Sequence, residues 1–177
     1  MYHPKPGCLH VSDAPSAKFI SSLTNLHPSR HAPALDIDHP TTIKTPKRAV
    51  QIEITGPKPR AGKRNALLKV LASTGLMDSA RAQSLMITTG SMNKRGPLHA
   101  LPLRVPAKLV PSSSKAHFHL YIEHEMTWDS YADLLRALRD AEVIGNDFCE
   151  MCLHWRVSFL LKPGFTKKDM RVAFKAA

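Results

Sequence analysis

Two stretches of the chain alternate between apolar and polar residues, which is the pattern of a half-buried β-strand. The first covers residues 49–55 and the second covers residues 117–123, where the alternation is strict. Successive side chains of a strand point to opposite faces, so the second stretch has one apolar face and one polar face. The polar face of the second stretch carries His117, His119 and Tyr121.

A helical pattern follows each predicted strand. Between residues 63 and 77 leucines recur at helical spacing, and Gly75 lies where a helix would end. In the second half Thr127 is a good N-cap and Asp129 falls in the first turn, where the helix dipole favours a carboxylate. An apolar stripe then runs along the helix, formed by Trp128, Tyr131, Leu134, Leu135 and Leu138. A further short helix is expected over residues 146–154.

The two patterns repeat at an offset of 67 residues, with residues 66–71 aligned on 133–138. Short β-compatible runs at 84–89 and 157–161 close each repeat, so the sequence predicts β-α-β twice. Two such units can share one sheet with both helices on one face. The predicted fold class is therefore α+β, a ferredoxin-like duplicated βαβ with a four-stranded antiparallel sheet. A single domain is expected over residues 47–165, with halves 49–89 and 116–162 and a linker 90–115 that has room for another strand near 98–105.

The first 46 residues are predicted to form a flexible, basic, proline-rich and largely irregular tail. Seven of the chain's 14 prolines interrupt its apolar stretches, and proline disfavours both helix interiors and central strands. One short helix is compatible with residues 16–26. Residues 166–177 are expected to form a short basic C-terminal segment.

Composition adds a strong positive charge to this picture. The chain has 25 Lys and Arg against 14 Asp and Glu, a formal net charge of +11. The densest cluster, here called the basic segment, holds a single acidic residue, Glu53, and consists of Lys44, Lys47, Arg48, Lys58, Arg60, Lys63 and Arg64. Such a cluster attracts nucleic acid or an acidic protein surface, while the alternative is a solvated surface that keeps the protein in solution. No run reaches the ~18 apolar residues of a membrane span, so we expect a cytoplasmic protein with no membrane partner.

The polar face of the second strand is a candidate open-face site. Histidines at i and i+2 of a strand can offer two imidazoles to one metal. In the four-stranded sheet this strand neighbours residues 50–55, so Glu53 would join His117, His119 and Tyr121 on one face. That set could bind a metal for hydrolysis or stack on RNA bases through Tyr121. The alternative is that these residues are simply the solvated side of the sheet.

Cys149, Cys152 and His154 form a second candidate site. A Cys-x-x-Cys pair is half of a zinc knuckle and needs two more ligands. On a helix the two thiols lie at i and i+3 and fit equally well as small core residues. No cofactor is expected, and zinc is the alternative left open.

Residues 112–165 resemble a family of small uncharacterised proteins of actinobacterial phages and prophages. The resemblance rests on a Ser-rich lead-in, an H-x-H-L-Y strand, a W-x-x-Y helix and a final R-x-x-strand-Pro segment. The matching positions here are His117, His119, Tyr121, Trp128, Tyr131 and Arg156. The resemblance implies a phage setting and supports the boundaries of the second half, and it implies no catalytic activity.

These patterns together predict a non-enzymatic, phage-type accessory protein that binds nucleic acid or a nucleic-acid-associated complex through its basic surface. An adaptor for protein–protein, virion or host contacts is the first alternative. A metal-dependent hydrolase built on the His-x-His strand is the second.

Overall fold

The computed structural model describes residues 19–24, 27–37, 41–44, 50–54, 60–87, 101–112 and 117–161. This part of the chain is α+β. Its helices are α1 (Ala61–Ser73), α2 (Ser79–Ile87), α3 (Trp128–Asp140) and α4 (Asn146–Trp155). Its strands are β1 (Phe19–Ser21), β2 (Leu23–Thr24), β3 (His27–His31), β4 (Ala34–Ile37), β5 (Thr41–Lys44), β6 (Val50–Ile54), β7 (Leu101–Leu103), β8 (Ala107–Pro111), β9 (Phe118–Ile122), β10 (Met126–Thr127) and β11 (Phe159–Leu161).

The strands form two principal antiparallel sheets of three strands each, in the orders β5-β6-β7 and β4-β9-β8. Two smaller ladders, β10-β3-β2 and β1-β11, complete the pairing among the described residues. The predicted four-stranded ferredoxin-like sheet required β6 beside β9. Instead β6 and β9 are each the central strand of a separate sheet, with their own partners on both edges.

The internal duplication is nevertheless present, as a larger unit than β-α-β. Helix α1 maps onto α3 residue for residue at an offset of 67, and α2 begins at the position that corresponds to the start of α4. The preceding hairpins also correspond, because the register of β5 on β6 equals that of β8 on β9 after the same shift. Each unit is therefore a hairpin followed by a pair of helices.

The turn between the paired helices is the same in both units. After α1, the N–H of Leu76 donates to the Leu71 carbonyl at 2.9 Å, and after α3 the N–H of Val143 donates to Leu138 at the same distance. Gly75 takes a left-handed φ of 78° in the first turn, as its predicted helix-ending position requires. The corresponding residue of the second turn is Glu142, with a φ of 60°.

Three helix predictions hold and one strand prediction does not. Thr127 caps α3 by accepting the Ser130 N–H, Asp129 lies in its first turn, and α4 occupies its predicted place. The run 84–89 was predicted to be a strand, but its described residues end α2. The expected linker strand is β7, which pairs with β6.

Both helix pairs contribute to a single hydrophobic core. The stripe of α3 is fully buried at Tyr131, Leu134 and Leu135, and that of α1 at Leu67 and Leu71. The inward side chains of β4 and β9 join this core. Burial of this apolar surface is the main force holding the two units together.

The predicted irregular tail instead supplies strands. Within 19–44 the described residues form β1 to β5, and the helix considered for 16–26 is absent from the described part of that range, where β1 and β2 lie. Pro28 is compatible with β3 because the register pairs of this strand with β2 and β10 fall on His27, Arg30 and His31. Residues 1–18 and 166–177 lie outside the described part of the chain.

A buried polar network fastens this N-terminal region to the second unit. Tyr131 is fully buried, donates a hydrogen bond to the Ala34 carbonyl and lies 2.6 Å from Ser158 Oγ. The Ser158 N–H donates to Ser22 Oγ, which in turn lies 3.1 Å from His31 Nδ1. These buried groups form hydrogen bonds with one another. Removing one side chain of the network therefore leaves a buried polar atom without a hydrogen-bond partner.

We expect Glu142→Gly to stabilise the protein by about 0.5–1 kcal/mol. Residues with a Cβ are strained at positive φ and glycine is not, and the first unit already has glycine here. Urea unfolding measures the change. Ala66→Gly, at an exposed interior position of α1, is the control and should cost about 1 kcal/mol. Equal losses of stability in Glu142→Gly and Ala66→Gly would contradict the strain assigned to Glu142.

We expect stability to fall as the pH drops from about 6.5 towards 4. Burial, and secondarily the charge of Arg156, lowers the pKa of His31 to about 4, so the unfolded chain binds the proton first. The contribution of neutral His31 to the free energy of unfolding is complete at pH 7. Protonation removes up to about 3 kcal/mol of this contribution below pH 4. His31→Gln should flatten the pH dependence of unfolding across this window. His154→Gln, at an exposed position, should not flatten it. An unchanged pH dependence of unfolding in His31→Gln would refute the role assigned to His31.

Candidate functional site

The polar side of the β4-β9-β8 sheet is the best-defined candidate site. Along β9, Leu120 and Ile122 point into the core, so His119 and Tyr121 point to the opposite side, as predicted. His117 directly precedes the strand and is i−2 from His119. The sequence therefore predicts correctly which side chains share this side of the sheet, but the side is not open at His119, which is only 7% exposed.

The carboxylate on this face comes from β4 and not from β6. Asp36 is directly opposite His119 in the antiparallel register, and its Oδ1 lies 3.8 Å from His119 Nε2. Glu53, the predicted partner, lies on β6 in the other principal sheet. The predicted His-His-Glu set is thus wrong in its carboxylate, because β9 receives its neighbours from residues 34–37 and 107–111.

Tyr121 completes a short chain of polar groups on this face. Its hydroxyl lies 3.4 Å from His119 Nδ1, and the two rings meet edge to face with centroids 6.3 Å apart. Burial, with the Asp36 charge as a second cause, raises the pKa of Tyr121 to about 12, so the phenol stays protonated. Burial also lowers the pKa of His119, although Asp36 opposes this shift, so the imidazole is neutral at pH 7.

Strand β8 adds a cation to the same side. Lys108 lies opposite Tyr121 in the register, and Val110 lies opposite His119. Lys108 is exposed. We call this set the outer face, and its residues are Asp36, Lys108, His117, His119 and Tyr121.

The first unit carries aliphatic residues at the corresponding positions, on the strand face that they share with the buried Leu103. At the offset of 67, His119 corresponds to Ile52 and Tyr121 corresponds to Ile54. The residue opposite Ile52 is Leu101, where the second unit has Asp36. The same backbone pairing therefore forms in both units with the alternation of apolar and polar residues inverted, because the aligned residues of β6 share a face with the core residue Leu103.

The basic segment is less available than its sequence suggests. Lys44 is on β5, and three further members lie outside the described residues: Lys47, Arg48 and Lys58. The remaining three members are Arg60, Lys63 and Arg64. Arg60 is exposed beside the start of α1.

The other two described cations contact the protein itself. Lys63 is 3.0 Å from an Asp140 oxygen, and Arg64 donates to the Leu85 carbonyl. Burial lowers the pKa of Arg64. Binding a polyanion through these two residues would compete with contacts they already make.

The two cysteines of α4 lie in the hydrophobic core. Both are fully buried, and burial raises the pKa of each thiol, which disfavours the thiolate that a zinc site needs. Cys149 corresponds to Ala82, a core residue of the first unit. His154 is exposed and packs edge-on against Trp155, so the structure does not bring it together with the thiols.

Asp36 and Lys108 are the site residues that sequence reasoning missed. The alternation Ala34-Leu35-Asp36-Ile37 is a usable strand signal, but it is only four residues long and lies in a proline-rich segment. The duplication offers a second signal, since it maps the hairpin β8-β9 onto β5-β6.

Within the described ranges, no three or more His, Cys, Asp or Glu side chains are grouped to hold a metal ion. The helices described here include none long and apolar enough to cross a membrane. Comparison with protein-family models finds no match to the chain. Comparisons with curated proteins and with solved structures also find no match. The outer face must therefore be interpreted from its own chemistry.

We expect Cys149→Ala to fold and to lose only about 1 kcal/mol, because the first unit packs alanine at the same place. Cys152→Ala should cost more, since it corresponds to the larger Leu85. Urea unfolding measures both. Metal analysis of the purified variants should show the same zinc content as the parent chain, and a loss of zinc with either substitution would restore the cysteine site.

Proposed function

We propose that the protein binds nucleic acid and that the outer face is its contact surface. The observation that carries the proposal is the polar set Asp36, His119, Tyr121 and Lys108, which the register places together on one side of the β4-β9-β8 sheet. Polar and aromatic residues on a sheet surface suit a flexible polymer with charged and stacking groups.

Charge supports nucleic acid as the polymer. The net charge of +11 attracts polyanions at long range, and Lys108 supplies a cation on the face itself. Arg60 and Lys44 are further cations of the basic segment that this proposal retains. The ion pair of Lys63 with Asp140 argues that the basic segment is an auxiliary surface.

The expected mode is contact with the sugar-phosphate backbone. Tyr121 is the one strong stacking side chain on the outer face, so reading several successive bases is not supported. Lys108 offers hydrogen-bond donors to phosphate instead. Single-stranded nucleic acid fits this face better than duplex, because an open strand can lie along a sheet and place a base on Tyr121.

The proposal predicts salt-dependent binding measured by fluorescence anisotropy with labelled single-stranded DNA and RNA. For about three phosphate contacts, the affinity should fall about twentyfold between 50 and 200 mM salt. Lys108→Glu should weaken binding more than tenfold and Tyr121→Ala by about fivefold or more, which corresponds to the ~1–3 kcal/mol of one base stacked on an aromatic ring.

Arg136→Glu is the matched control, because it makes the same charge change on an exposed position of α3. It should weaken binding by much less than Lys108→Glu. Equal effects would show a general charge effect and refute the outer face as the contact. Undetectable binding of the parent chain at 50 mM salt would refute nucleic-acid binding altogether.

A further inference from the structure

The outer face contains an anionic group that an anion-binding surface would ordinarily avoid. The Asp36 side chain is about one-third exposed, and it lies on the edge strand β4, opposite His119 of the central strand. A carboxylate here repels phosphate unless a cation lies between them. On the other hand, an aspartate and a neutral histidine are both common ligands of divalent cations.

The geometry of the pair fits a cation better than a hydrogen bond. The 3.8 Å between Asp36 Oδ1 and His119 Nε2 is too long for a hydrogen bond. Two ligand atoms that each lie about 2.1 Å from one metal are about 3.0–3.4 Å apart at octahedral or tetrahedral angles. Closing the pair onto a metal therefore needs the two atoms to approach by about 0.4–0.8 Å.

The surroundings of His119 orient it as a metal ligand would be oriented. A proton on Nδ1 can be donated to the Tyr121 hydroxyl at 3.4 Å, which leaves the Nε2 lone pair directed towards Asp36. Metal-binding histidines usually donate their second ring N–H in this way. His117 is close enough to affect His119 electrostatically and is the nearest further imidazole.

We propose that Asp36 and His119 form a divalent-cation site of the mixed oxygen and nitrogen type that Mn²⁺ accepts. The remaining positions of the cation belong to water and, where the proposed nucleic-acid binding holds, to a phosphate oxygen of the bound strand. A site with one or two protein ligands that is completed by phosphate is usual for Mg²⁺-like cations. The bridge to phosphate rests on the proposed function, whereas the cation site does not.

The cation site is tested with Mn²⁺ alone, by counting free Mn²⁺ with electron paramagnetic resonance in the presence of the full chain. Mn²⁺ is the right probe because it prefers oxygen and nitrogen ligands and leaves thiols to softer metals. We expect one Mn²⁺ per chain at this face. Asp36→Asn and His119→Gln should each weaken its binding at least tenfold.

Two control variants make matched changes elsewhere on the protein. Asp133→Asn removes one exposed carboxylate from α3, and His154→Gln removes one exposed imidazole from α4. Both should bind Mn²⁺ within about twofold of the parent. Thermal unfolding without metal checks that each variant folds, and added Mn²⁺ should raise the unfolding midpoint of the parent and the controls only.

Two results would overturn the cation site: no Mn²⁺ binding by the parent chain at millimolar concentration, or undiminished binding by folded Asp36→Asn and His119→Gln. The phosphate bridge has its own readout. Mn²⁺ should strengthen binding of single-stranded DNA about tenfold in the parent and leave Asp36→Asn unchanged.

The nucleic-acid measurement in excess EDTA separates the two proposals. Salt-dependent binding in EDTA, without any effect of Mn²⁺, supports nucleic-acid binding and overturns the bridge. Stoichiometric Mn²⁺ binding without any affinity for nucleic acid supports the cation site and overturns the proposed function.

Discussion

The pairing of β4 with β9 is the contact on which the candidate site depends. These strands are more than 80 residues apart in the chain, yet four residues of each are in antiparallel register. That register places Asp36 opposite His119, and Ala34 within reach of the Tyr131 hydroxyl. A shift of one residue would turn Asp36 into the core and expose Leu35 in its place. The buried hydrogen bonds of Tyr131 oppose such a shift, so the core of α3 also maintains the geometry of the outer face.

The two units share one backbone plan and differ around the central strand of each sheet. Both units share helix lengths, hairpin register and the turn between helices. They differ at two corresponding positions of the central strand, where one has Ile52 and Ile54 and the other has His119 and Tyr121. They also differ at the third strand of the sheet, since β6 receives β7 from the segment between the two units, whereas β9 receives β4 from the N-terminal region. The polar site thus arises where the repeat is broken.

Local sequence patterns predict those helices and strands whose structure depends mainly on their own residues. The strict alternation of 117–123 gives β9 and its faces, Thr127 with Asp129 gives the start of α3, and Gly75 marks the turn after α1. Helix α2 was missed because the run Leu85-Met86-Ile87 is short enough to fit either a strand or the last turn of a helix, and only packing of Ala82 and Leu85 against the core decides. The sheet order and Asp36 were missed because both depend on long-range pairing, which leaves no trace in a local window.

The ladder of β1 with β11 joins residues 19–21 to residues 159–161, almost the whole length of the described chain. A ribosome releases the N-terminal strand long before its partner exists, at roughly 5–20 residues per second. During that interval the edge of Phe19–Ser21 has open backbone donors and acceptors, and β4 likewise lacks β9. The nascent chain therefore carries two unpaired strands until residues 118–122 and 159–161 have been synthesised. Strand pairing over such long sequence separations forms late in folding. The exposed strands of the growing chain therefore need protection from other chains in the cell until their partners are made.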